Sequence, residues 1–310
     1  MIPEMDIIAM GSVAMDYYLV LDGLPWNDEK VRARSARFLP GGTMGNFACA
    51  AAKLGARTGF AGVVGNDAFG DLLIQDFKEF GVDTSHVLRR PGAGTPLTVL
   101  VVSPGGKRTN LLPPFIHLKL EDIDREYLSN TKILHTHLFD IGVLKSCAEE
   151  ARRNDITFSI DLELHRVKHV PSSDLREMLA LCDLVFLNQE TLAWIAQISD
   201  VQEAATLLIG LGAKTVIVTL GDEGSLAVSQ EEAAWMVPFK VNAVDTTGAG
   251  DCFAAAFCYG YLQRWSLRET MMFASAASAL AVTKMGARTA LATVEEVSRF
   301  LRDSSRVDSP

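Results

Sequence analysis

The sequence predicts an α/β protein with three layers: a mostly parallel central sheet, helices on both of its faces, and a small β-sheet lid. Three observations predict it. The second half alternates short apolar runs with Ala- and Leu-rich helical stretches, a pattern that calls for parallel strands joined by crossover helices. The stretches at about 13–40 and 92–115 are β-rich and turn-rich with no helix between them, as in a lid projecting from the main sheet. No linker, repeat or low-complexity tract divides the chain, so residues 1–304 read as one domain with a frayed tail at 305–310.

The elements follow in order. Residues 7–10 are an apolar run ending at Gly11, hence a buried strand and a turn. Residues 16–21 and 31–38 read as more exposed strands around LPWND. Residues 46–54 form an Ala-rich helix stopped by Gly55; 58–64 are a strand and 69–80 a helix stopped by Gly81. Strands 97–102 and 108–112 flank SPGGK, a hairpin with a Gly-rich loop. Strands follow at 132–136, 157–160, 184–187 and 215–219, with a helix between the first two, one from about Glu190 and one at 201–211. A second hairpin pairs 225–229 with 235–237, and helices fill 248–262, 267–283 and 293–301.

Composition narrows the function. Of 310 residues, 48% are hydrophobic and 22% charged, the balance of a soluble globular protein. A net charge of -9 repels a phosphate backbone and argues against a nucleic-acid partner. No apolar run approaches the ~20 residues that span a bilayer, and the acidic start MIPEMD is no secretory leader. Cys49, Cys147, Cys182, Cys252 and Cys258 are odd in number, scattered and free of any CxxC, as expected for thiols in a reducing cytoplasm.

The chemistry concentrates in Asp245-Thr246-Thr247-Gly248-Ala249-Gly250-Asp251, just before a long Ala- and Phe-rich helical pattern. Gly248 and Gly250 put no side chain between backbone and a phosphate. The amides of Gly248, Ala249 and Gly250 then form an anion hole at a helix N-terminus. Asp251 falls in the first turn, where a carboxylate can take a proton from a hydroxyl attacking phosphorus. A bare GxGD is equally an ordinary turn with a helix-starting acid.

The whole string resembles a signature of the ribokinase-like (PfkB) carbohydrate kinase family, and the likeness continues along the chain. PGGTMGNFACAAAKLG, with Gly41, Gly42 and Asn46, resembles the family's N-terminal signature, and GVVGNDAFGDLL extends it. Gly11-Ser12 and Asp16 match its first strand and sugar-binding acid. Thr219-Leu220-Gly221 and Gly224 resemble its nucleotide loop, and AVTKMGAR (281–288) the segment closing the ATP site. The resemblance implies a ribokinase-like fold and ATP-dependent phosphorylation of a sugar hydroxyl, with Asp251 as general base. It implies that Asp16, Gly41, Gly42, Asn46 and Asp251 bind the sugar. Asn188, Thr219, Gly221, Gly224, Gly248, Gly250 and Ser275 are expected to serve the nucleotide. It also implies magnesium, and a monovalent cation such as potassium near Asp245, Thr247, Ala281 and Gly286. Read alone, Asp16 is also a strand-end acid and Asn46 a helix N-cap.

Departures mark where this chain differs. Relatives carry Asn-x-x-Glu where this chain has Asn188-Gln189-Glu190-Thr191, so the acid that organises magnesium water is Glu190, one place early, or is absent. Glu163 replaces an amide in Asp161-Leu162-Glu163-Leu164-His165-Arg166, and Ser275 stands where relatives place Asn or His beside adenine. His135 and His137 share one strand face, facing either substrate or core. Four residues separate His165 from His169, without HExxH. Lys107-Arg108 on the lid hairpin reads as an anion grip or a solvated loop.

A P-loop pattern is absent, and Gly248-Ala249-Gly250 lacks the third glycine of a dinucleotide fingerprint. Two alternatives stay open. A nucleoside kinase needs a base clamp, for which the lid offers Tyr17, Tyr18, Trp26 and Phe38. A non-catalytic sugar-binding regulator would bind without transfer. Exposed lid strands also suit a homodimer.

Overall fold

Apolar runs too short for helices became strands because both faces of each run found a layer to pack against. The structure, a computed structural model, describes residues 4–23, 28–102 and 108–307. The first half contains β1 (Met5–Gly11), β2 (Ala14–Val20), β3 (Ser35–Gly41), α1 (Thr43–Lys53), β4 (Thr58–Gly65) and α2 (Ala68–Glu79). β5 (Val87–Arg90), β6 (Leu97–Val102), β7 (Arg108–Leu111), α3 (Arg125–Ser129), β8 (Thr131–His137) and α4 (Ile141–Arg153) follow. Next come β9 (Thr157–Leu162), α5 (Leu164–Val167), α6 (Ser172–Leu179), β10 (Leu184–Asn188), α7 (Gln189–Ala196), α8 (Val201–Gly210) and β11 (Thr215–Thr219). β12 (Ser225–Ser229), β13 (Ala233–Met236), α9 (Ala249–Leu262), α10 (Leu267–Ala281) and α11 (Val294–Val307) complete the described chain.

The main sheet has nine strands in the order β13-β12-β11-β10-β9-β8-β1-β4-β5, parallel except for the β12–β13 hairpin at one edge. Alternation sorts its residues. Ile7 and Ala9 face the core under α1, α2, α9 and α10, while Ile8 and Met10 face the core under α4, α6 and α8. Alanines 254–256 on α9 are fully buried, which lets that helix sit close to both α1 and α10. All five cysteines are buried and free. Among the described residues, no helix is long and apolar enough to cross a membrane.

A second, four-stranded sheet runs β3-β2-β6-β7, built from the two segments expected to form the lid. The strand expected at 31–38 is instead Ser35–Gly41. Pairing of Ala14 with Gly41 and of Tyr17 with Phe38 sets that register and carries the strand directly into α1. α1 therefore starts three residues before the helix expected at Asn46, and Gly42, not Asn46, is its N-cap. Gly42 has φ 85°, and a Cβ there would lie 2.7 Å from backbone atoms of Val13 and Ala14, so glycine is required. β5, α3, α5 and α6 were not foreseen; all are short, and sheet or helix contacts hold them. α11 continues through 307, so the first part of the expected tail is helical. Trp26, Lys107, the Arg108 side chain and residues 308–310 lie outside the description.

Candidate active site

In an open parallel sheet, ligands collect beyond the carboxyl ends of the strands, where the strand order changes direction. Here β1 and β8 meet at that point. Their ends are tied together by His137, whose Nε2 accepts from the Ser12 amide at 2.9 Å and faces the Ser12 hydroxyl at 2.8 Å. Three adjoining cavities open over these ends. The first, about 420 Å³, lies under the lid and is lined by Asp16, Asn46, Thr98, Glu163, Arg166 and Asp251. The second, about 520 Å³, contains Asp161, Glu190 and Gly250 and shares Glu163, His165 and Asn188 with the first. The third, about 540 Å³ and more apolar, shares Thr219, Gly250 and Phe253 with the second. Together they make one trough.

Asp251 stands in the first turn of α9 and lines the cavity under the lid. Its Oδ2 accepts from Asn46 Nδ2 at 2.8 Å. Burial pushes its carboxyl up to about 7. The Asn46 bond opposes that shift, Glu163 adds to it, Arg288 opposes it, and Asp16 adds to it. Asp16, only 5% exposed on β2, is likewise pushed to about 7 by burial. Arg288 restrains that rise, Asp245 reinforces it, and a Thr98 hydrogen bond opposes it. Gly41 is small for a concrete reason: a Cβ there would strike the Asp16 carboxylate. Asp161 is raised well above the usual range by burial and by the Glu163 and Asp251 charges, against Arg166. Asp16, Gly42, Asn46 and Asp251 thus line one cavity, with Gly41 packed behind Asp16.

The glycine turn precedes α9 as expected. Gly248 is the N-cap in the left-handed region, φ 76°, with no side-chain cap competing for the helix amides. One part of the expected anion hole differs. The Ala249 amide donates to the Thr246 carbonyl at 3.3 Å, closing the turn, so it is less free than an unpaired first-turn amide. A Cβ on Gly250 would meet nothing within 4 Å, so this face is open to the trough.

Thr219, Gly221, Gly224 and Ser275 all line the third cavity. Gly221 and Gly224 have φ 63° and 105°, the tight bend between β11 and β12. Asn188 caps α7, accepting from the Thr191 amide at 2.8 Å and the Thr191 hydroxyl at 2.7 Å. Thr191 is fully buried in this cap, and the exposed Glu190 lines the trough instead. Glu163 is held by Arg166 Nε at 2.8 Å and receives the Thr43 hydroxyl at 3.3 Å. Arg166 also donates to the Leu138 carbonyl at 3.0 Å.

The residues read as a cation site come together behind the turn. Asp245 accepts from the Thr247 amide and hydroxyl at 2.9 and 2.7 Å and from the Gly286 amide at 2.8 Å. Val282, next to Ala281, accepts from the Val244 amide at 2.8 Å.

His135 and His137 are fully buried and do not face the trough. His135 stacks on Phe47 and bonds Ser159 at 2.7 Å, and burial holds it neutral, at about 3. His165 lines the first two cavities, whereas His169 lines neither. Among the described residues, no group of three or more His, Cys, Asp or Glu side chains is arranged to hold a metal. Of the aromatic residues offered as a base clamp, Tyr17 and Phe38 stack on each other on the lid face opposite Asp16, with Phe69 of α2 against Phe38, and Tyr18 is buried. Sequence reasoning missed Thr43, Thr98 and the inward turn of Arg288; nothing local in the sequence signals contacts made across such distances.

The pfkB family carbohydrate kinase model matches residues 5–294. The chain is 27% identical over 326 residues to the 5-dehydro-2-deoxygluconokinase of Clostridium beijerinckii, covering 97% of this chain and 94% of that one. The crystal structure of ribokinase from Thermotoga maritima matches with a TM-score of 0.86 at 29% identity, over 96% of this chain and 99% of that one. The Arabidopsis thaliana ribokinase complexed with ribose and ATP matches with a TM-score of 0.83 at 25% identity and the same coverage. A parallel sheet with a β lid, a glycine turn opening onto a trough, and a family match across nearly the whole chain agree: this chain belongs to the pfkB family and is a carbohydrate kinase.

Proposed function

We propose that this kinase moves the γ-phosphoryl group of ATP onto a hydroxyl of a sugar or sugar acid bound under the lid. The observation that carries this reading is the position of Asp251. Its carboxylate lines the polar cavity under the lid, and the adjoining Gly250 lines the two more apolar cavities. Asp16, Asn46 and Asp251 offer the acceptors and donors that neighbouring hydroxyls need. Asp251 takes the proton as the hydroxyl oxygen bonds the γ-phosphorus, and the bond to the β-phosphate oxygen breaks to release ADP. The amides of the 248–250 turn face the charge that develops on the phosphoryl oxygens, with that of Ala249 sharing its hydrogen with Thr246.

The nucleotide lies along Thr219, Gly221, Gly224 and Ser275, in one kinase unit spanning 1–304 with its lid. Glu190 and Asn188, which line the second cavity, would hold the waters of a magnesium ion riding on the phosphates, and that ion would neutralise phosphate charge. Potassium between Asp245, Thr247, Ala281 and Gly286 would sit behind the turn. Five buried free thiols support a reducing, cytoplasmic setting.

The ion pair between Arg166 and Glu163 bears on the substrate. Arg166 is already paired, so a neutral polyol fits without further change, and a carboxylate would compete with Glu163 for the guanidinium. ADP release across sugars, sugar acids, sugar phosphates and nucleosides tests the reading. Turnover with a sugar or sugar acid is expected. Turnover with nucleosides alone, or sugar binding without ADP release, overturns it.

The same reading includes a homodimer through the lid. Phe38, Tyr17, Val99 and Leu111 pair across all four lid strands on the outer face, and Phe38 is 50% exposed. Such an apolar row is complementary to itself about a two-fold axis. Light scattering after gel filtration should give twice the chain mass, and Phe38→Glu should return it to one. A monomeric parent at micromolar concentration rejects the pairing.

A further inference from the structure

The segment that closes the nucleotide side ends in a residue that points the other way. Arg288 follows Gly286, yet its side chain turns under the sugar side of the trough and is only 7% exposed. Its Nε donates to Asn46 Oδ1 at 3.0 Å, its Nη2 to the Gly41 carbonyl at 2.7 Å, and its Nη1 to Asp76 on α2. Phe77 lies beneath the guanidinium, 5.3 Å from its ring centre. α1 makes room for it: a Cβ on Gly45 would collide with Nη2.

This geometry has a directional consequence. An amide side chain can present either its oxygen or its nitrogen. Because Arg288 donates to the Asn46 oxygen, the Asn46 NH₂ group must face Asp251, which it meets at 2.8 Å. The Gly41 carbonyl, held by the same fork, fixes the strand end against which Asp16 packs. One guanidinium therefore positions Asp16 and Asp251, two of the three carboxylates of the sugar cavity.

We propose that Arg288 is a positioning residue for phosphoryl transfer: it locks the Asn46 amide in the orientation that holds Asp251, and its fixed positive charge stands behind Asp16 and Asp251. The proposal rests on the reading of Asp251 as the base. A guanidinium is suited to this task because its fork is planar and stays charged. The charged groups around Asp251 are Asp16 from β2, Asp161 and Glu163 at the end of β9, Arg166 from α5 and Arg288; Arg166 is paired with Glu163 and opposes Asp161, which leaves Arg288 as the cation that favours the ionised form of Asp251. Around Arg288 itself lie Asp76, Cys49 and Asp16.

Kinetics of Arg288→Gln and Arg288→Lys, with melting curves and Asp251→Asn alongside, test it. In folded Arg288→Gln, turnover is expected to fall about 10- to 10²-fold through misplacement of the base. The acid limb of kcat/KM should move up by about one pH unit, since a charge favouring the ionised carboxylate is gone. Arg288→Lys should leave that limb near its parental position while turnover still falls, because the charge remains and the fork does not. A purely structural Arg288 would lower the melting temperature and the active fraction, with kinetic constants per active site unchanged. That result, alongside an inactive Asp251→Asn, overturns the proposal alone. Near-parental turnover in Asp251→Asn overturns both the proposal and the base assignment beneath it. Should Arg288→Gln fail to fold, Gly45→Ala displaces the guanidinium with its charge and Asp76 partner kept. Lower turnover in that variant supports the proposal, and parental kinetics overturn it.

Discussion

Asp251→Asn should lower turnover about 10²- to 10⁴-fold, the range that a well-placed general base contributes. The substitution keeps shape: the Asn oxygen can still accept from Asn46 Nδ2, which holds Asp251 at 2.8 Å. Sugar and ATP binding measured by calorimetry should therefore change only a few-fold, so the loss appears in turnover and not in occupancy. A variant that releases ADP at close to the parental rate would remove Asp251 from the reaction.

The same carboxyl sets a pH signature. Burial holds Asp251 at about 7, compared with 3.8 for the free group, so it is protonated and useless as a base below that pH. Turnover should fall as pH drops through about 7, and this dependence should be lost in Asp251→Asn. Asp16, also held at about 7, should add a loss of sugar affinity on the same limb under the proposed sugar contact. The linkage to stability runs the opposite way to that of a salt-bridged acid. Between about 4 and 7 the folded chain holds a proton that the unfolded chain has lost, so this group's contribution to stability falls as pH rises through that window. Above pH 7 the full penalty of an ionised, desolvated carboxylate remains. The Asn variant carries no such penalty and should melt no lower than the parent at pH 8. An active site that is locally unfavourable for the fold is what a base tuned to neutral pH requires.

Much of this could be read from sequence because it is local. The turn 245–251 places two glycines and an acid within one helical turn, and neither residue type nor spacing depends on the rest of the fold. The parallel strands were legible because a run such as residues 184–187 is apolar on both faces. The register of β3 was not, since Phe38 pairs with Tyr17 only after the lid has assembled. The start of α1 was missed for a related reason: Gly42 looks like a breaker in sequence and acts as a cap in three dimensions. The Thr191 departure was visible, but its meaning was not. Thr191 gives its hydroxyl to Asn188, so its place at the acid position is a helix cap facing away from the trough. Arg288 was farthest from view, because its partner Asn46 lies 242 residues away and the motif around it points to the nucleotide.

The two glycines of the turn should behave differently when each is changed to alanine, and the contrast tests the anion hole. Gly248→Ala meets two obstacles. Its φ of 76° is in the left-handed region, which costs a residue with a Cβ about 1–2 kcal/mol. The new methyl would also lie 2.6 Å from the Ala287 Cβ, so the turn and the 281–288 segment must move apart. That movement spoils the aim of the helix amides at the phosphoryl oxygens, and loss of one such donor lowers turnover about 10²- to 10³-fold. Gly248→Ala is therefore expected to be less stable and nearly inactive. Gly250→Ala meets nothing within 4 Å and helix favours alanine, so its melting temperature should equal or exceed the parent's. Its methyl instead projects where the phosphates must approach, and the expected effect is a raised KM for ATP. Melting curves with steady-state constants for both variants separate the two effects. If Gly250→Ala leaves the KM for ATP and turnover at parental values, the phosphates do not pass over this turn, and the anion hole must be sought elsewhere along the trough.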